Sequence, residues 1–301
     1  MRHVSRSPGR AGFTLVELLI AIVITGIVMA AMIRVLQGNQ RFYTAQNQIL
    51  EIQQNIRAVA QILAGELREL DASDGDIIAM SDTAIQIKAM RGFSVTCAPA
   101  NATTGQVTIR NSQTFGFRAM DATRDSVLVF REGNVQQSSD DRWLRAPIAA
   151  SAAASCTDGS AGTVLTLTGM AGTGGVGQLG PSGASGDQGV TVGSPVRTFE
   201  VVNYRLYDDG TGAWYLGVRS YASGAWSATS PVAGPLLPNT GMSLQFQDAS
   251  GTTTTTTTAV RRILLTIRGR SRAPINIPGR RPGYFQDSLA TRITPRNNAR
   301  Y

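Results

Sequence analysis

The sequence predicts an α+β protein in which one long amino-terminal helix packs on a mainly antiparallel β-sheet body. Three observations carry this prediction. An apolar run opens the chain, and apolar residues keep a helical spacing well past its end, with no proline between Pro8 and Pro99. Beyond about residue 75, short alternating apolar and polar runs separated by Gly, Asn and Asp predict strands. We therefore expect an exported body at residues 72–301 behind a single long helix.

The first element is long enough to cross a membrane. Residues 13–33 carry one charge, Glu17, and would form about 31 Å of helix, the thickness of a hydrocarbon core. Arg2, Arg6 and Arg10 precede it, which predicts a cytoplasmic amino terminus and an exported remainder. We predict a single transmembrane segment at residues 13–36.

Hydropathy alone leaves several interpretations of this segment open. It could be an ordinary secretory signal cut at small residues near Ala30 and Ala31, which would release a soluble product. It could also be a plain membrane anchor. A third interpretation depends on the residues around Gly12.

Gly-Phe-Thr-Leu-Val-Glu, from Gly12 to Glu17, closely resembles the type IV prepilin motif. In that family a short basic leader ends in glycine, and an inner-membrane prepilin peptidase removes it and methylates the new terminal phenylalanine. The resemblance implies a leader at residues 1–12, cleavage between Gly12 and Phe13, and an N-methylated Phe13. It also places the chain in the bacterial inner membrane, and then in a pilus or pseudopilus.

Glu17 is a carboxylate within a segment that otherwise suits lipid. Such a group costs about 2.5–3.5 kcal/mol to insert and by default indicates a functional site. The resemblance implies that Glu17 docks subunits by pairing with the Phe13 amine of a neighbouring subunit. The alternative is a tolerated charge near the membrane interface.

The second half of the helix, residues 37–71, reads as amphipathic. Its apolar residues recur every three or four positions and form one stripe. They are Ile49, Ile52, Ile56, Val59, Leu63, Leu67 and Leu70. We predict one helix from Phe13 to Leu70 whose stripe packs on the protein's own domain; a separate coiled-coil stalk is the alternative.

Alternating apolar residues predict the strands of the body. They cover Ala84–Met90, Gln106–Arg110, Thr114–Phe117, Ser126–Arg131, Thr163–Thr168, a hairpin over Phe199–Tyr221 with its turn at 208–212, Met242–Gln247 and Val260–Arg268. Two stretches look irregular: the glycine-rich residues 169–193, and seven consecutive threonines at 252–258, which predict a surface loop.

The order of the late features resembles the PilW-type minor pilins and the J-type minor pseudopilins of type II secretion. The matching stretches are Val202–Leu206, Trp214–Leu216, Leu244–Asp248, a final strand at Arg261–Ile267, and Arg296 with Asn297. The resemblance implies a minor subunit that primes or caps assembly. Its implied partners are prepilin peptidase, other pilin or pseudopilin subunits, the inner-membrane assembly platform and membrane lipid.

The chain has two cysteines, Cys97 and Cys156. Outside the cytoplasm a disulfide is the natural expectation for such a pair. Two separate buried thiols are the alternative.

Residues for catalysis or metal binding are scarce. The chain's one histidine, His3, lies in the leader, so a mature chain starting at Phe13 lacks the residue most used in triads and metal sites. Acidic residues at 71–76 and 140–141 read as solvated loops, and the G-x-G-x-x-G stretch at 172–177 is followed by further glycine rather than a helix. We expect no enzyme activity, no cofactor and no metal.

The carboxyl-terminal region is strongly basic, since residues 260–301 hold many arginines and one acid, Asp287. Seven of these arginines are candidates for a nucleic-acid or partner contact. They are Arg261, Arg262, Arg268, Arg270, Arg272, Arg280 and Arg281. DNA capture by a filament subunit is thus an alternative function; otherwise these side chains face water or acidic groups.

Overall fold

The computed structural model describes residue 12 and residues 14–116, 118–172, 179–275 and 281–296. Its helix is α1 (Leu15–Arg68). The strands are β1 (Ile77–Met80), β2 (Ala84–Val95), β3 (Gln106–Arg110), β4 (Phe115–Gly116), β5 (Asp125–Asn134), β6 (Arg142–Ser155), β7 (Ala161–Leu167), β8 (Asp187–Gly189), β9 (Pro195–Asp208), β10 (Trp214–Ala222), β11 (Ala225–Trp226), β12 (Ser230–Leu236), β13 (Met242–Gln247), β14 (Arg262–Arg270) and β15 (Gln286–Ile293).

The chain divides into two compact units, one of Met1–Glu51 with Ser271–Phe285 and one of Ile52–Arg270 with Gln286–Tyr301. In the first unit the connection between β14 and β15 packs on residues 37–51 of α1. Arg272 Nη2 lies 2.7 Å from Glu51 Oε1, and within the connection Ile275 and Gly283 form a bridge of paired backbone.

The sheet of the second unit is built around β9. One edge of β9 pairs with β2, from Pro195 opposite Val95 to Arg205 opposite Ala84. The other edge pairs first with β5 and then with β10. Every pairing named between these strands is antiparallel, and the main strand order is β13-β14-β12-β10-β9-β5-β6-β7-β3.

The second half of α1 packs on this sheet through the predicted stripe. The stripe members that are buried are Ile52, Ile56, Val59, Leu63, Leu67 and Leu70. A Cβ added at Gly269 of β14 would lie 2.6 Å from Ile52 Cγ2 and 2.9 Å from Ile56 Cγ2, so the glycine allows the helix to approach the strand closely. The predicted α+β arrangement of a long helix on an antiparallel sheet is confirmed, and the helix ends at Arg68 rather than Leu70.

A second apolar core lies under β3, β5, β6 and β7. Its large members include Ile109 of β3, Leu144 of β6, Leu165 of β7 and Leu179 from the segment that follows β7. Arg131 of β5 and Asp187 form a buried ion pair that holds this segment to the sheet. The predicted disulfide between Cys97 and Cys156 is present.

The structure corrects several expectations for the body. β14 is not the final strand, because β15 follows it and pairs with it along its length. The acidic residues at 71–76 are not all solvated, because Asp76 is buried beside Lys88. Strands β1, β6, β8, β11, β12 and β15 were also not predicted.

The two irregular stretches differ in how much of them is described. The threonine run forms a loop between β13 and β14 that is exposed at most of its positions. Residues 173–178 of the glycine-rich stretch, and with them most of the G-x-G-x-x-G sequence, lie outside the described residues.

Candidate functional site

The site begins at the amino-terminal end of α1. Gly12 is exposed, and no atom lies within 4 Å of the position that a Cβ would take there. Phe13, the expected first residue of the mature chain, lies outside the described residues. The predicted cleavage and methylation at Gly12 and Phe13 therefore stay predictions, to be decided by the chemistry of the mature terminus.

Thr14 and Glu17 form a capping box at the start of the helix. The Thr14 N–H donates to Glu17 Oε2 at 3.0 Å, and the Thr14 hydroxyl donates to the same oxygen at 3.1 Å. In return the Glu17 N–H donates to Thr14 Oγ1 at 3.3 Å. A capping box satisfies two backbone donors that would otherwise have no partner. The Thr-x-x-Glu spacing is the sequence signal of this arrangement.

Glu17 lies on a helix whose first turns are exposed and apolar. Within the described residues it forms no ion pair, and its carboxylate accepts hydrogen bonds from Thr14. Large exposed apolar side chains surround it, including Leu15, Val16, Leu18, Leu19 and Ile20. In the described part of the chain, α1 is the one helix long and apolar enough to cross a membrane by length and composition.

A partly buried ion-pair network anchors the other end of α1 to the sheet. Arg91 of β2 donates to both carboxylate oxygens of Glu66 on α1, at 3.0 and 3.1 Å, and to Glu200 of β9 at 3.2 Å. The Tyr204 hydroxyl also donates to Glu66, at 3.1 Å. Arg118 extends the network, because its Nη2 donates to Glu200 Oε2 at 3.1 Å. The network fixes the helix at one position on β2 and β9.

The environment of this network shifts the pKa of its members. Burial lowers the pKa of Arg91, but the charge of Glu66 and the hydrogen bond to Glu200 outweigh it, so that pKa is raised. Burial also raises the pKa of Glu200, but its hydrogen bonds, including those from Arg118 and Arg91, lower it overall. Burial, followed by the charge of Glu66, raises the pKa of Tyr204. The charged forms of Arg91 and Glu200 are thus favoured in the folded protein.

The predicted basic residues are divided between the two units. Four of them have partners close at hand. Arg261 donates to the carbonyls of Thr258 and Val260, Arg262 to the side chain of Gln247, Arg268 to the carbonyl of Thr240, and Arg272 to Glu51.

The remaining three arginines are placed differently. Arg270 ends β14, Arg281 is exposed in the connection that packs on α1, and Arg280 lies outside the described residues. A nucleic-acid contact through these arginines stays a prediction. Among the described residues, no group of three or more His, Cys, Asp or Glu side chains could hold a metal ion.

Comparison with known proteins adds one finding. Residues 8–33 match the model of the prokaryotic N-terminal methylation motif. No curated protein and no solved structure gives a significant match to the chain. The matched residues include the capping box and the first turns of α1.

Proposed function

We propose that this chain, whose prepilin-type motif supports a type IV pilin-like or pseudopilin subunit, is a PilW-like minor pilin of a type IV pilus. The motif implies processing by prepilin peptidase and assembly with other pilin subunits. In this proposal the enzyme removes residues 1–12 and methylates Phe13. The long helix then carries the subunit from the inner membrane into the filament, where it primes or caps assembly. The role is structural rather than catalytic.

The observation that carries the proposal is a motif carboxylate on an exposed apolar helix. Glu17 lies within the matched residues, and its recorded contacts are to Thr14. Cleavage after Gly12 would create a cationic amine about one helical turn away. We propose that the amine of an incoming or neighbouring subunit pairs with Glu17, because an unpaired charge buried in a helix bundle costs several kcal/mol. That cost would set the docking register.

The size of the body supports a minor rather than a major role. Residues 72–301 follow one helix, and such a body would crowd a densely packed shaft. A minor pseudopilin of type II secretion would share the motif and the helix. The two are separated by asking which machine, pilus or secretion system, regains function when the chain is restored to a strain lacking its own minor subunit.

The proposal is tested with Glu17→Ala in the full-length chain. We expect the wild-type mature chain to begin at N-methylated Phe13 by mass spectrometry. Glu17→Ala should be cleaved normally, but its amount in sheared filaments should fall at least about tenfold, since one unpaired interfacial charge costs several kcal/mol. Glu51→Ala, the next carboxylate along the helix, serves as the matched control and should enter filaments normally.

Two results would contradict the proposal at different points. Incorporation of Glu17→Ala at the wild-type level rejects the docking role of the carboxylate. A mature terminus near Met32 instead of Phe13 rejects prepilin processing and supports an ordinary secretory signal.

A further inference from the structure

A group of basic and aromatic side chains lies where the predicted membrane segment ends. We call it the arginine–aromatic collar; its members are Arg34, Arg41, Phe42, Tyr43, Arg281 and Tyr284. All six are exposed and belong to the first unit. Four lie on α1 just beyond its longest apolar stretch, and two lie in the connection from Ser271 to Phe285.

The connection is held beside this part of the helix. Pro274, Ile275 and Pro282 line a groove together with α1 residues between Gln37 and Gln48. The Arg272–Glu51 ion pair ties its beginning to the helix. Arg281 directly precedes Pro282, and Arg41 lines the same groove as Pro282.

The charge of the collar is not balanced locally. No acidic residue occurs between Glu17 and Glu51 or anywhere in 271–285. The next carboxylate along α1, Glu51, is already paired with Arg272. The guanidinium groups of Arg34, Arg41 and Arg281 form no ion pair or hydrogen bond with another described residue. The surface therefore has an excess of positive charge and suits an anionic ligand.

The depth of the collar matches lipid headgroups. Arg34 and Arg41 lie about 1.5 and 12 Å beyond Ile33 along the helix axis, and the headgroup region extends roughly 5–8 Å beyond the hydrocarbon core. A long arginine side chain can cover the remaining distance by bending toward the interface. Tyrosine and other amphipathic rings are also enriched at this level of the membrane.

We propose that the arginine–aromatic collar binds the phosphates of anionic phospholipids in the leaflet that faces the exported body. The three arginines supply the charge, and Phe42, Tyr43 and Tyr284 supply rings for the interface. A lipid surface fits better than DNA because the charges surround the end of an apolar segment instead of forming a separate basic patch. The proposal depends on insertion of α1 into the membrane, but not on the docking role of Glu17.

The test measures lipid selectivity of the full-length protein. The protein is placed in mixed micelles with equal amounts of phosphatidylglycerol and phosphatidylcholine, and retained lipid is counted by native mass spectrometry. We expect at least about tenfold enrichment of phosphatidylglycerol, weakening with added salt, because each surface arginine contributes roughly a fivefold gain in affinity.

Matched triple variants locate the effect. Arg34→Gln with Arg41→Gln and Arg281→Gln should abolish the enrichment. Arg261→Gln with Arg262→Gln and Arg268→Gln removes equal charge from the second unit and should leave it intact. The single variant Arg281→Gln should lower it about fivefold. Protease resistance and the intact disulfide check folding in each case.

Three results would overturn the proposal. The first is equal retention of the two lipids by the wild-type protein. The second is an equal loss of enrichment in both triple variants. The third is displacement of the lipid by an equimolar DNA duplex with the same arginine dependence, which would assign the surface to nucleic acid. Assembly of Glu17→Ala is measured separately, so failure here leaves the proposed pilin function standing.

Discussion

At the scale of single residues, the attachment of the end of α1 to the sheet depends on paired charges whose side chains have little access to water. The exposed fractions of the Arg91, Glu66 and Glu200 side chains are 13%, 20% and 6%. Arg91 contacts both acids, so removing it leaves two carboxylates with fewer partners in a poorly hydrated site. Breaking a buried ion pair from one side is costly for this reason.

We predict that Arg91→Met destabilises the protein by about 3 kcal/mol at pH 7 in urea unfolding of the full chain in micelles. The pKa of Glu200 is lowered in the folded state from its ordinary value of 4.5, so its contribution is complete above that value and is lost as the pH falls through the lowered pKa. The difference in unfolding free energy between the wild type and Arg91→Met should therefore become smaller below about pH 4.

Arg57→Met, an exposed position on the same helix, is the control and should change stability by less than about 0.5 kcal/mol. If Arg91→Met lowers the unfolding free energy by the same amount from pH 7 to pH 3, lost packing rather than lost charge causes the effect.

At the scale of elements, the contact between α1 and β14 depends on close approach. Gly269 leaves room for Ile52 and Ile56, and no other residue type would do so without movement. Gly65 lies on the same helix, but no atom lies within 4 Å of its Cβ position. The two glycines thus have opposite roles, one in packing and one only in backbone flexibility.

We predict opposite effects for two alanine substitutions. Gly269→Ala should destabilise the protein by about 1–3 kcal/mol, because the helix must shift to admit the methyl group. Gly65→Ala should stabilise it by about 0.5–1 kcal/mol, because alanine favours the helix. Urea midpoints of the two variants provide the measurement, and a stable Gly269→Ala would contradict the close packing of the helix.

The elements also show what the sequence could predict. The stripe of α1 was recognisable because its spacing repeats over many turns, and Met242–Gln247 because its apolar residues alternate. β6 was missed because its second half is alanine and serine, and β12 because it contains proline.

At the site, Glu17 stood out as a lone charge. Glu66, Arg91 and Glu200 are far apart in the chain, so only the fold brings them together.

At the scale of the whole molecule, the disulfide indicates the compartment in which the body resides. Cys97 and Cys156 are both buried, and their bond closes a loop between positions 59 residues apart. Disulfides of this kind persist outside the cytoplasm. The bond is thus consistent with a membrane-anchored chain whose body is exported.

We predict that the thiols report export. After denaturation in urea, neither cysteine of the membrane-inserted protein should be alkylated without a reductant, whereas a variant lacking Leu18–Ile24 should be retained in the cytoplasm and alkylated at both. Replacing both cysteines by serine should lower the free energy of unfolding by about 4 kcal/mol. Alkylation of the inserted wild-type protein would contradict an exported body.

The anchor of α1 has a mechanical consequence for a subunit drawn out of a membrane by its helix. Within the second unit, a pull along the end of α1 is carried to the sheet by the apolar stripe, the paired charges at Glu66 and the bond from the Arg296 N–H to the Arg68 carbonyl. These attachments are spread over several turns and are loaded together. Detachment of the helix from the sheet must therefore break these contacts together. The body consequently resists tension better than any one contact could, and it moves together with its helix.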